Sequence, residues 1–501
     1  MTGARLSAAR RLRDLDVLAS GEVDVLVVGG GVTGCGVALD AASRGLTVAL
    51  VEKADLAHGT SRWSSKLVHG GLRYLAERDW ELIRESARER DLLLRVTAPH
   101  LVRPLPMAVP LSRDLAPRDG LLFDVGHRVG DGFRLAAGTP RSALPRPRRM
   151  GVAETVRLLP AVRRDGLRGG LLNWDGQLED DARLVVGLAR TAASYGARIV
   201  TYARAVSADG SGADVRDERG GQTLRITARQ VVNATGVWAE TLAPGTRLRP
   251  SKGVHLVLRA ETLGWPSASM TVPVPGEANR YVFALPHPDG LVYVGLTDDA
   301  VDGPLPDVPR AEPHEVRFLL ETLSRGLERP LTLGDVVGTF AGLRPLLEGA
   351  PDERTADLSR RHAVVRGDDG VWTVLGGKLT TYRRMAQDTV DLLTDVPCRT
   401  AALPLVGAVG PRDTAVPPRL VRRYGAEATE VAALAEADPR LLAPVAPGVP
   451  VLGVELAWGV HAEGALCEED LLERRTRLSL VTAWAEAAGP AAAAAIGLVR
   501  T

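Results

Sequence analysis

Residues 23–34 of the chain have the sequence VDVLVVGGGVTG, a short β-branched apolar run that ends directly in glycines. The run predicts a buried strand, and Gly29, Gly31 and Gly34 have the spacing G-x-G-x-x-G. The small and apolar residues from Val32 to Arg44 predict the helix that follows. In such a unit the first glycine permits a tight turn, the second lets the backbone approach a pyrophosphate, and the third allows the helix to pack closely. The stretch therefore predicts a phosphate-binding loop at the start of a βαβ unit.

A second strand is predicted from Thr47 to Val51, and Glu52 follows it directly. A carboxylate about 20 residues beyond the glycines can reach the adenosine ribose of a bound dinucleotide. A glycine turn in another kind of α/β protein is the alternative. Because NAD and FAD share this motif, it leaves the identity of the dinucleotide open.

The same alternation of strands and helices returns later in the chain. Asp180 or Asp181 can cap a helix that runs to about Tyr195, and Ala197 to Tyr202 predicts the strand after it. Gln230 to Ala234 is a further strand that can return to the same sheet. These elements predict a largely parallel sheet.

Between about residues 251 and 339 the pattern changes. The runs 254–258, 280–285 and 290–296 are short, strand-like and separated by Pro and Gly, which favours an antiparallel sheet in a separate substrate domain. Val371 to Leu375 then predicts a last buried strand.

Two proline-rich stretches predict connections. Pro104, Pro106 and Pro110 are hard to place in helices or central strands, so this stretch is interpreted as a link between structural units. After the second stretch, Pro404 to Pro418, the Ala, Leu, Glu and Arg residues have helical spacing and predict an α-helical C-terminal domain.

The composition is that of an ordinary globular protein, and at about 100 to 200 residues per domain its 501 residues correspond to two or three domains. A formal net charge of +1 gives no reason to expect a nucleic-acid partner. Cys35, Cys398 and Cys467 lie far apart, so we expect no disulfide framework, no cysteine zinc site and a reducing compartment. No uncharged apolar run reaches about 18 residues, which predicts that no helix crosses a membrane.

The N-terminal residues 1–22 are basic, and acidic residues stand where a signal peptide would have its apolar region. Leu6, Leu12, Leu15 and Leu18 alternate with arginines, which allows an amphipathic helix at a membrane surface. The alternative is a helix packed on its own protein.

Residues 60–75, TSRWSSKLVHGGLRYL, resemble the S-S-K-L-[IV]-H-G-G-[LIV]-R-Y-L signature of the FAD-dependent glycerol-3-phosphate dehydrogenases of the aerobic bacterial type. Few other families have such a string. The family's pattern returns in its order, from about residue 23 to about residue 390, in DDARL (180–184), VNATGVW (232–238), KGVH (252–255), GLRPL (342–346) and GGKLTTYR (376–383).

The resemblance implies an α/β fold with a Rossmann-like FAD-binding domain of the D-amino-acid-oxidase-like flavoprotein type, an antiparallel-sheet substrate domain and a C-terminal α-helical domain. The expected ranges are a basic extension at 1–22, the FAD-dependent oxidoreductase region at 23–397 and the helical domain at 398–501. Within the middle region, the FAD-binding parts are expected at about 23–100, 160–250 and 340–397, and the substrate domain at about 101–159 and 251–339.

The resemblance also implies an activity, the oxidation of sn-glycerol 3-phosphate to dihydroxyacetone phosphate in glycerol catabolism. Hydride passes to FAD and electrons then pass to a membrane quinone. The expected location is cytoplasmic, peripheral on the inner face of the cell membrane, and a homodimer is compatible with it. The alternatives are an oxidase that uses oxygen, an amino-acid or amine oxidase of the same broad fold, and a non-catalytic flavin-binding subunit.

Three cations, Arg73, Arg344 and Lys378, each stand near glycine in a loop at the end of a predicted element, where α/β proteins bind ligands. Taken singly, a cation of this kind is more often a solvated surface charge. The resemblance implies that together they hold the substrate phosphate, for which the planar fork of arginine is well suited, and polarise the reacting oxygen. Arg344 and Lys378 are thus expected to be catalytic as well as substrate-binding residues. The resemblance also implies that Tyr74 orients the substrate or covers the flavin, with aromatic packing as the alternative.

His255 follows a glycine in the predicted substrate domain, and a neutral imidazole there can accept the proton of the C2 hydroxyl. A histidine bonded structurally in the sheet is the alternative. The resemblance implies two groups of flavin contacts, Ser64, Ser65, Lys66, His69 and Gly70 along the isoalloxazine, and Gly377, Lys378, Leu379 and Thr380 near its pyrimidine edge. Ala234 and Gly236 complete the predicted cofactor site with Gly29, Gly31, Gly34 and Glu52, and no metal is expected.

Overall fold

A computed structural model describes residues 2–71, 79–113, 115–246, 248–277, 280–301, 303–347, 361–410 and 415–497. Its helices are α1 (Ala8–Ser20), α2 (Val32–Ser43), α3 (Trp80–Leu92), α4 (Pro117–Ala136), α5 (Val152–Leu158), α6 (Asp181–Ser194), α7 (Pro313–Ser324), α8 (Tyr382–Val390), α9 (Pro418–Tyr424), α10 (Ala428–Ala433), α11 (Gly453–Ala462) and α12 (Thr482–Gly497). Its strands are β1 (Glu22–Val28), β2 (Val48–Val51), β3 (Leu67–Val68), β4 (Val102–Pro110), β5 (Arg148–Met150), β6 (Gly170–Leu178), β7 (Arg198–Val200), β8 (Ala203–Asp209), β9 (Gly212–Asp217), β10 (Thr223–Asn233), β11 (Ser251–Arg259), β12 (Ser269–Pro273), β13 (Tyr281–His287), β14 (Leu291–Gly295), β15 (Asp299–Ala300), β16 (Val336–Arg344), β17 (His362–Arg366) and β18 (Trp372–Gly376).

The first sheet has eight strands and the main order β17-β18-β10-β1-β2-β7. The β18, β10, β1, β2 and β7 neighbours are parallel, whereas β17, β8 and β9 are added antiparallel. The helices α2, α6 and α8 pack together on this sheet, and the side chains of β1 and β2 are almost fully buried. Burial on both faces explains why these strands have continuous apolar sequences rather than alternating ones. The predicted parallel sheet, including the return of 230–234 beside β1, is confirmed.

The second sheet has ten strands and the main order β15-β11-β14-β13-β12-β4-β6-β3, with β16 paired to β11 and β5 to β6. Its pairs are antiparallel, with the exception of β4 beside β12. The three predicted runs between 251 and 339 form β11, β13 and β14. An antiparallel sheet in this part of the chain is therefore confirmed.

The interpretation of the prolines at 104, 106 and 110 as a connection is wrong, because they lie in strand β4. This strand pairs with β6 along its whole length, but on its other side β12 meets only Met107 and Ala108. An edge that is mostly open requires few N–H donors, so prolines are tolerated there.

Three strands do not follow the expected domain ranges. β3, β6 and most of β16 lie in stretches assigned to FAD binding, yet all three join the ten-stranded sheet. A strand belongs to the sheet in which its hydrogen-bonding partners lie. The alternation of apolar and polar residues along a strand does not identify those partners. The chain therefore crosses between the two sheets more often than the ranges imply.

The N-terminal helix α1 packs on the protein itself. Leu15 and Leu18 are buried against the outer strands of the first sheet, and Arg11 donates to the carbonyl of Thr201 at 2.7 Å and pairs with Asp217. Of the four leucines that suggested an amphipathic helix, Leu6, Leu15 and Leu18 are buried and Leu12 is exposed, so most of the apolar face packs on the protein itself.

Helices α9 to α12 form the predicted C-terminal helical region, which is confirmed. Buried ion pairs join it to helix α6, which packs on the first sheet, among them Arg183 with Glu463 (2.7 Å) and Arg190 with Glu427 (2.6 Å). Within the described part of the chain, every helix is too short or too polar to cross a bilayer.

Candidate functional site

A cavity of about 1510 Å³ is lined by residues of both sheets. At one end it meets the glycine loop between β1 and α2, and at the other end it meets β11, β16 and α4. Its size exceeds that of most small-molecule pockets, which are about 300–1,000 Å³. The cavity can therefore hold a large cofactor together with a substrate.

The glycine loop has the geometry that a dinucleotide requires. Gly29 has a φ of +113°, which side chains rarely adopt, and a Cβ on Gly34 would lie 1.9 Å from the carbonyl oxygen of Gly29. Gly31 caps the N-terminus of α2 without a side-chain hydrogen bond, and the N–H of Val32 donates to Ser61 Oγ. The partial positive charge of this helix terminus favours an anion in the adjoining cavity. Gly29 and Gly31 line the cavity, and Gly34 packs behind it.

Glu52 lies at the end of β2 in the wall of the same cavity. Its carboxylate accepts hydrogen bonds from the N–H of Gly30 at 2.6 Å and of Ala54 at 2.9 Å. Burial raises its pKa, although these two N–H donors oppose the shift. These donors fix the carboxylate, which still has lone pairs that can accept hydrogen bonds from ribose hydroxyls. With the N-terminus of α2 beside it, this part of the cavity therefore fits FAD.

The predicted flavin contacts come from two segments that meet in the middle of the cavity. Ser64, Ser65 and His69 line it from one segment, and Gly377, Lys378, Leu379 and Thr380 line it from the other, with Ala234 and Gly236 towards the dinucleotide end.

Lys66 and Gly70 do not line the cavity. The ammonium group of Lys66 turns inward, donates to the carbonyls of Arg62 and Ser64 at 3.0 Å each, and pairs with Asp181 at 3.0 Å. Burial lowers its pKa to about 8. Gly70 instead donates to Asp175, close to the Arg90 guanidinium. Both residues therefore support the loop from behind, a distinction that a sequence signature does not reveal.

Two of the three predicted cations, Arg344 and Lys378, line the cavity. Arg344 donates to Ser251 Oγ at 2.8 Å and to the carbonyl of Thr297 at 3.0 Å, and it lies 3.3 Å from Asp298. Its guanidinium lies against Gly253, where a Cβ would approach Nη2 to 2.1 Å. Lys378 donates to Ser86 Oγ of α3 at 2.6 Å. Arg73 and Tyr74 lie outside the described residues.

His255 lies on β11 in the cavity wall, with Nε2 2.8 Å from Ser65 Oγ. Its ring stacks on Phe340 at a centroid distance of 4.6 Å, and Gly295 leaves room for it, since a Cβ there would lie 2.3 Å from the ring. Burial, with the charges of Lys66 and Arg344, holds the pKa of His255 well below its ordinary value. Nδ1 is buried and has no hydrogen-bond partner within the described chain. His255 is therefore a neutral imidazole at pH 7.

Several lining residues were not predicted. Ser61, whose Oγ accepts from the N–H of Val32 at 2.9 Å, stands next to the signature and could have been found from it. His58 and His127 also line the cavity, and burial lowers the pKa of each to about 4. The contribution of α4, through Leu122, Phe123 and His127, has no sequence signal because it depends on how this helix folds over the ten-stranded sheet. Among the described residues, no three His, Cys, Asp or Glu side chains are grouped to hold a metal ion.

Two sheets around one cavity, with a nucleotide-binding loop at one end and two cations further along the wall, are features of an oxidoreductase that uses FAD. The chain matches the family described as FAD dependent oxidoreductase over residues 24–383, and the C-terminal domain of alpha-glycerophosphate oxidase over residues 398–499. FAD, rather than NAD, is the cofactor.

The chain belongs to the FAD-dependent glycerol-3-phosphate dehydrogenase family. It is 51% identical over 494 residues to glycerol-3-phosphate dehydrogenase 1 of Mycobacterium tuberculosis, covering 95% of this chain and 96% of that protein. It is 38% identical over 514 residues to glycerol-3-phosphate dehydrogenase 2 of the same species, covering 95% and 84%. Among solved structures it is similar to the glycerol-3-phosphate dehydrogenase of Bacillus halodurans complexed with FAD, with a TM-score of 0.74, 28% identity and coverage of 98% of this chain and 94% of that one. The predicted fold class and family are confirmed.

Proposed function

We propose that the protein oxidises sn-glycerol 3-phosphate to dihydroxyacetone phosphate and that a membrane quinone is the final electron acceptor. The observation that carries the first part is the presence of Arg344, Lys378 and the neutral His255 in one cavity, next to the segments expected to contact the flavin. Two cations suit a phosphate, and a neutral imidazole suits a hydroxyl proton.

The residues divide the reaction between them. Arg344 and Lys378 bind the phosphate and fix the distance of C2 from the cofactor, while His255 accepts the proton of the C2 hydroxyl as the C2–O bond becomes a carbonyl. FAD supplies the acceptor for the hydride that leaves C2. Ser65 Oγ, at 2.8 Å from Nε2, holds the imidazole in orientation. Arg73 and Tyr74 remain proposed substrate contacts on the family resemblance alone, and the homodimer remains a prediction.

The surface around α4 supports a membrane acceptor. Residues 113–168 contain twelve arginines, no lysine and six acidic residues, a net charge of +6 in a chain whose net charge is +1. Leu121, Val125 and Leu135 of α4 are exposed. Arg118 and Arg128 lie on the same helix, and Arg118 also lines the cavity. Apolar side chains surrounded by arginines fit the surface of an anionic bilayer.

The same helix also reaches the cavity. Leu122, which is 63% exposed, and Phe123 line the cavity end next to Met107, Val109 and Tyr281. An apolar wall that continues from the cavity to an exposed surface suits a quinone that arrives from lipid. These features support peripheral binding on the inner face of the cell membrane, with the oxygen-using oxidase as the alternative.

Replacing Leu121 and Val125 together by glutamate is expected to lower binding to anionic vesicles about tenfold or more, since burying each side chain contributes about 1.5–3 kcal/mol. Co-flotation with vesicles of phosphatidylglycerol and phosphatidylcholine measures this binding. Because salt screens the attraction between arginines and anionic lipids, wild-type binding should weaken when salt is added. Oxidation of sn-glycerol 3-phosphate with a soluble dye acceptor should stay within about twofold of wild type.

The matched control is Leu333→Glu, since Leu333 is 71% exposed and lies outside residues 113–168. It should float with vesicles as wild type does. If the double variant also floats as wild type does, α4 is not the membrane surface.

A further inference from the structure

The loop that follows Glu52 is held from outside by one short segment of the C-terminal domain. Asp55 in this loop is fully buried, and the guanidinium groups of Arg474 and Arg475 converge on it. Arg474 Nε donates to Oδ2 at 2.7 Å, while Arg475 donates to Oδ2 at 2.6 Å and to Oδ1 at 2.9 Å. Burial alone would raise the pKa of Asp55, but the two guanidinium charges outweigh it and lower the pKa. Asp55 is therefore a carboxylate locked between two residues that are far away in sequence.

The same segment holds the loop at a second place. Glu473 forms an ion pair with Arg62, and Arg477 donates to the carbonyl of Arg62 at 2.6 Å. Both guanidinium groups, those of Arg62 and Arg477, also lie over the ring of Trp63, at 4.2 and 5.0 Å from its centroid. We call Glu473, Arg474, Arg475 and Arg477 the C-terminal clamp.

The other face of the clamped loop belongs to the cofactor cavity. Residues 58–61 and 63–65 line it, and they include Ser61, which anchors the first turn of α2, and Ser65, which contacts His255. Trp63 stacks on Phe340 at 6.0 Å, and Phe340 stacks on His255 at 4.6 Å. A shift of the loop would therefore move cavity-lining groups and the support of the imidazole together.

We propose that the C-terminal clamp is a positioning element of the flavin site: it fixes residues 55–66 through Asp55 and Arg62 so that their inner face is preformed for FAD. Preformed binding surfaces avoid the free-energy cost of ordering a loop when the ligand binds. The clamp residues themselves touch neither substrate nor cofactor in this scheme. The C-terminal domain is then part of the cofactor site and not an independent appendage.

The test is FAD binding by the full-length apoprotein, measured as the Kd for FAD by fluorescence titration, with no substrate or acceptor present. Asp55→Asn preserves shape but removes the charge that both arginines share, and it should raise this Kd about tenfold or more. The visible circular dichroism of the bound flavin should change as well. Because the assay contains neither substrate nor quinone, its failure would not affect the proposed function.

The matched control is Glu427→Gln, which weakens another buried ion pair of the C-terminal domain, the one with Arg190 of helix α6. Glu427→Gln should lower Tm about as much as Asp55→Asn does, but it should leave the Kd for FAD within about twofold of wild type. A Kd that is unchanged in Asp55→Asn, or that rises equally in both variants, would overturn the proposal.

If Asp55→Asn does not fold, Glu473→Gln tests the proposal instead. The side chain of Glu473 is 33% exposed, and its replacement leaves Asp55 in place. Glu473→Gln should raise the Kd for FAD about threefold, whereas Glu473→Asp, which keeps the carboxylate, should have the wild-type Kd. An unchanged Kd in Glu473→Gln would overturn the proposal.

Discussion

Replacing Arg344 by alanine is expected to lower kcat/KM for sn-glycerol 3-phosphate about 100- to 1,000-fold while FAD stays bound. Removing one partner of a desolvated charge pair costs about 2–5 kcal/mol, which corresponds to such a factor. Arg344 is held in place by Ser251, Thr297 and Asp298, so its guanidinium is oriented before the substrate arrives. Steady-state kinetics with a dye acceptor, and the flavin absorbance of the purified variant, measure the two parts of this result.

Two comparisons make the Arg344 result specific. Arg344→Lys keeps the charge but loses the planar fork, so it should recover only part of the activity. Arg280→Ala removes another cation of the cavity wall, one that has no part in the proposed phosphate site, and should change kcat/KM by less than about fivefold. A variant Arg344→Ala that lost FAD but kept its substrate kinetics would refute the assignment.

Replacing His255 by glutamine is expected to lower kcat about 100- to 10,000-fold, the usual range for the loss of a general base. The dependence on pH gives the sharper result. Because the pKa of His255 is held well below its ordinary value of 6.5, the imidazole stays neutral, and able to accept a proton, as the pH falls from 8 to 6. The ratio of wild-type to variant kcat should therefore be constant over this interval, even though the phosphate of the substrate titrates near pH 6 in both assays.

His127→Gln is the control for His255, since His127 lines the cavity on α4 and is also neutral. Its kcat should stay within about threefold of wild type. If His255→Gln retained wild-type kcat, or if the ratio fell steeply below pH 7, His255 would be a structural residue of β11 and not the base.

Local features of the sequence predicted the cofactor half of the molecule well. The strand, the glycine spacing and Glu52 lie close together in the chain. Two of the glycines are required by local geometry, Gly29 by its positive φ and Gly34 by the nearby carbonyl oxygen of Gly29. The signature around Ser64 and the loops of Arg344 and Lys378 also predicted residues that the fold brings to one cavity.

Contacts between distant segments could not be predicted. Prolines in β4 are tolerated because β12 covers little of that edge, and Lys66 turns inward because Asp181 lies behind it. The basic N-terminal helix packs on the protein because Asp217 is available to pair with Arg11. In each case a polar or proline residue has a role set by a partner that is remote in sequence, which residue type and periodicity do not specify.

The substrate assignment is tested most directly by the anaerobic absorbance spectrum of the FAD-loaded protein before and after addition of sn-glycerol 3-phosphate. Bleaching of the flavin by the substrate, followed by fast recovery with a quinone analogue and slow recovery in air, is the predicted result. Fast recovery in air would instead identify an oxidase. A bound flavin that sn-glycerol 3-phosphate does not bleach would contradict the proposed activity.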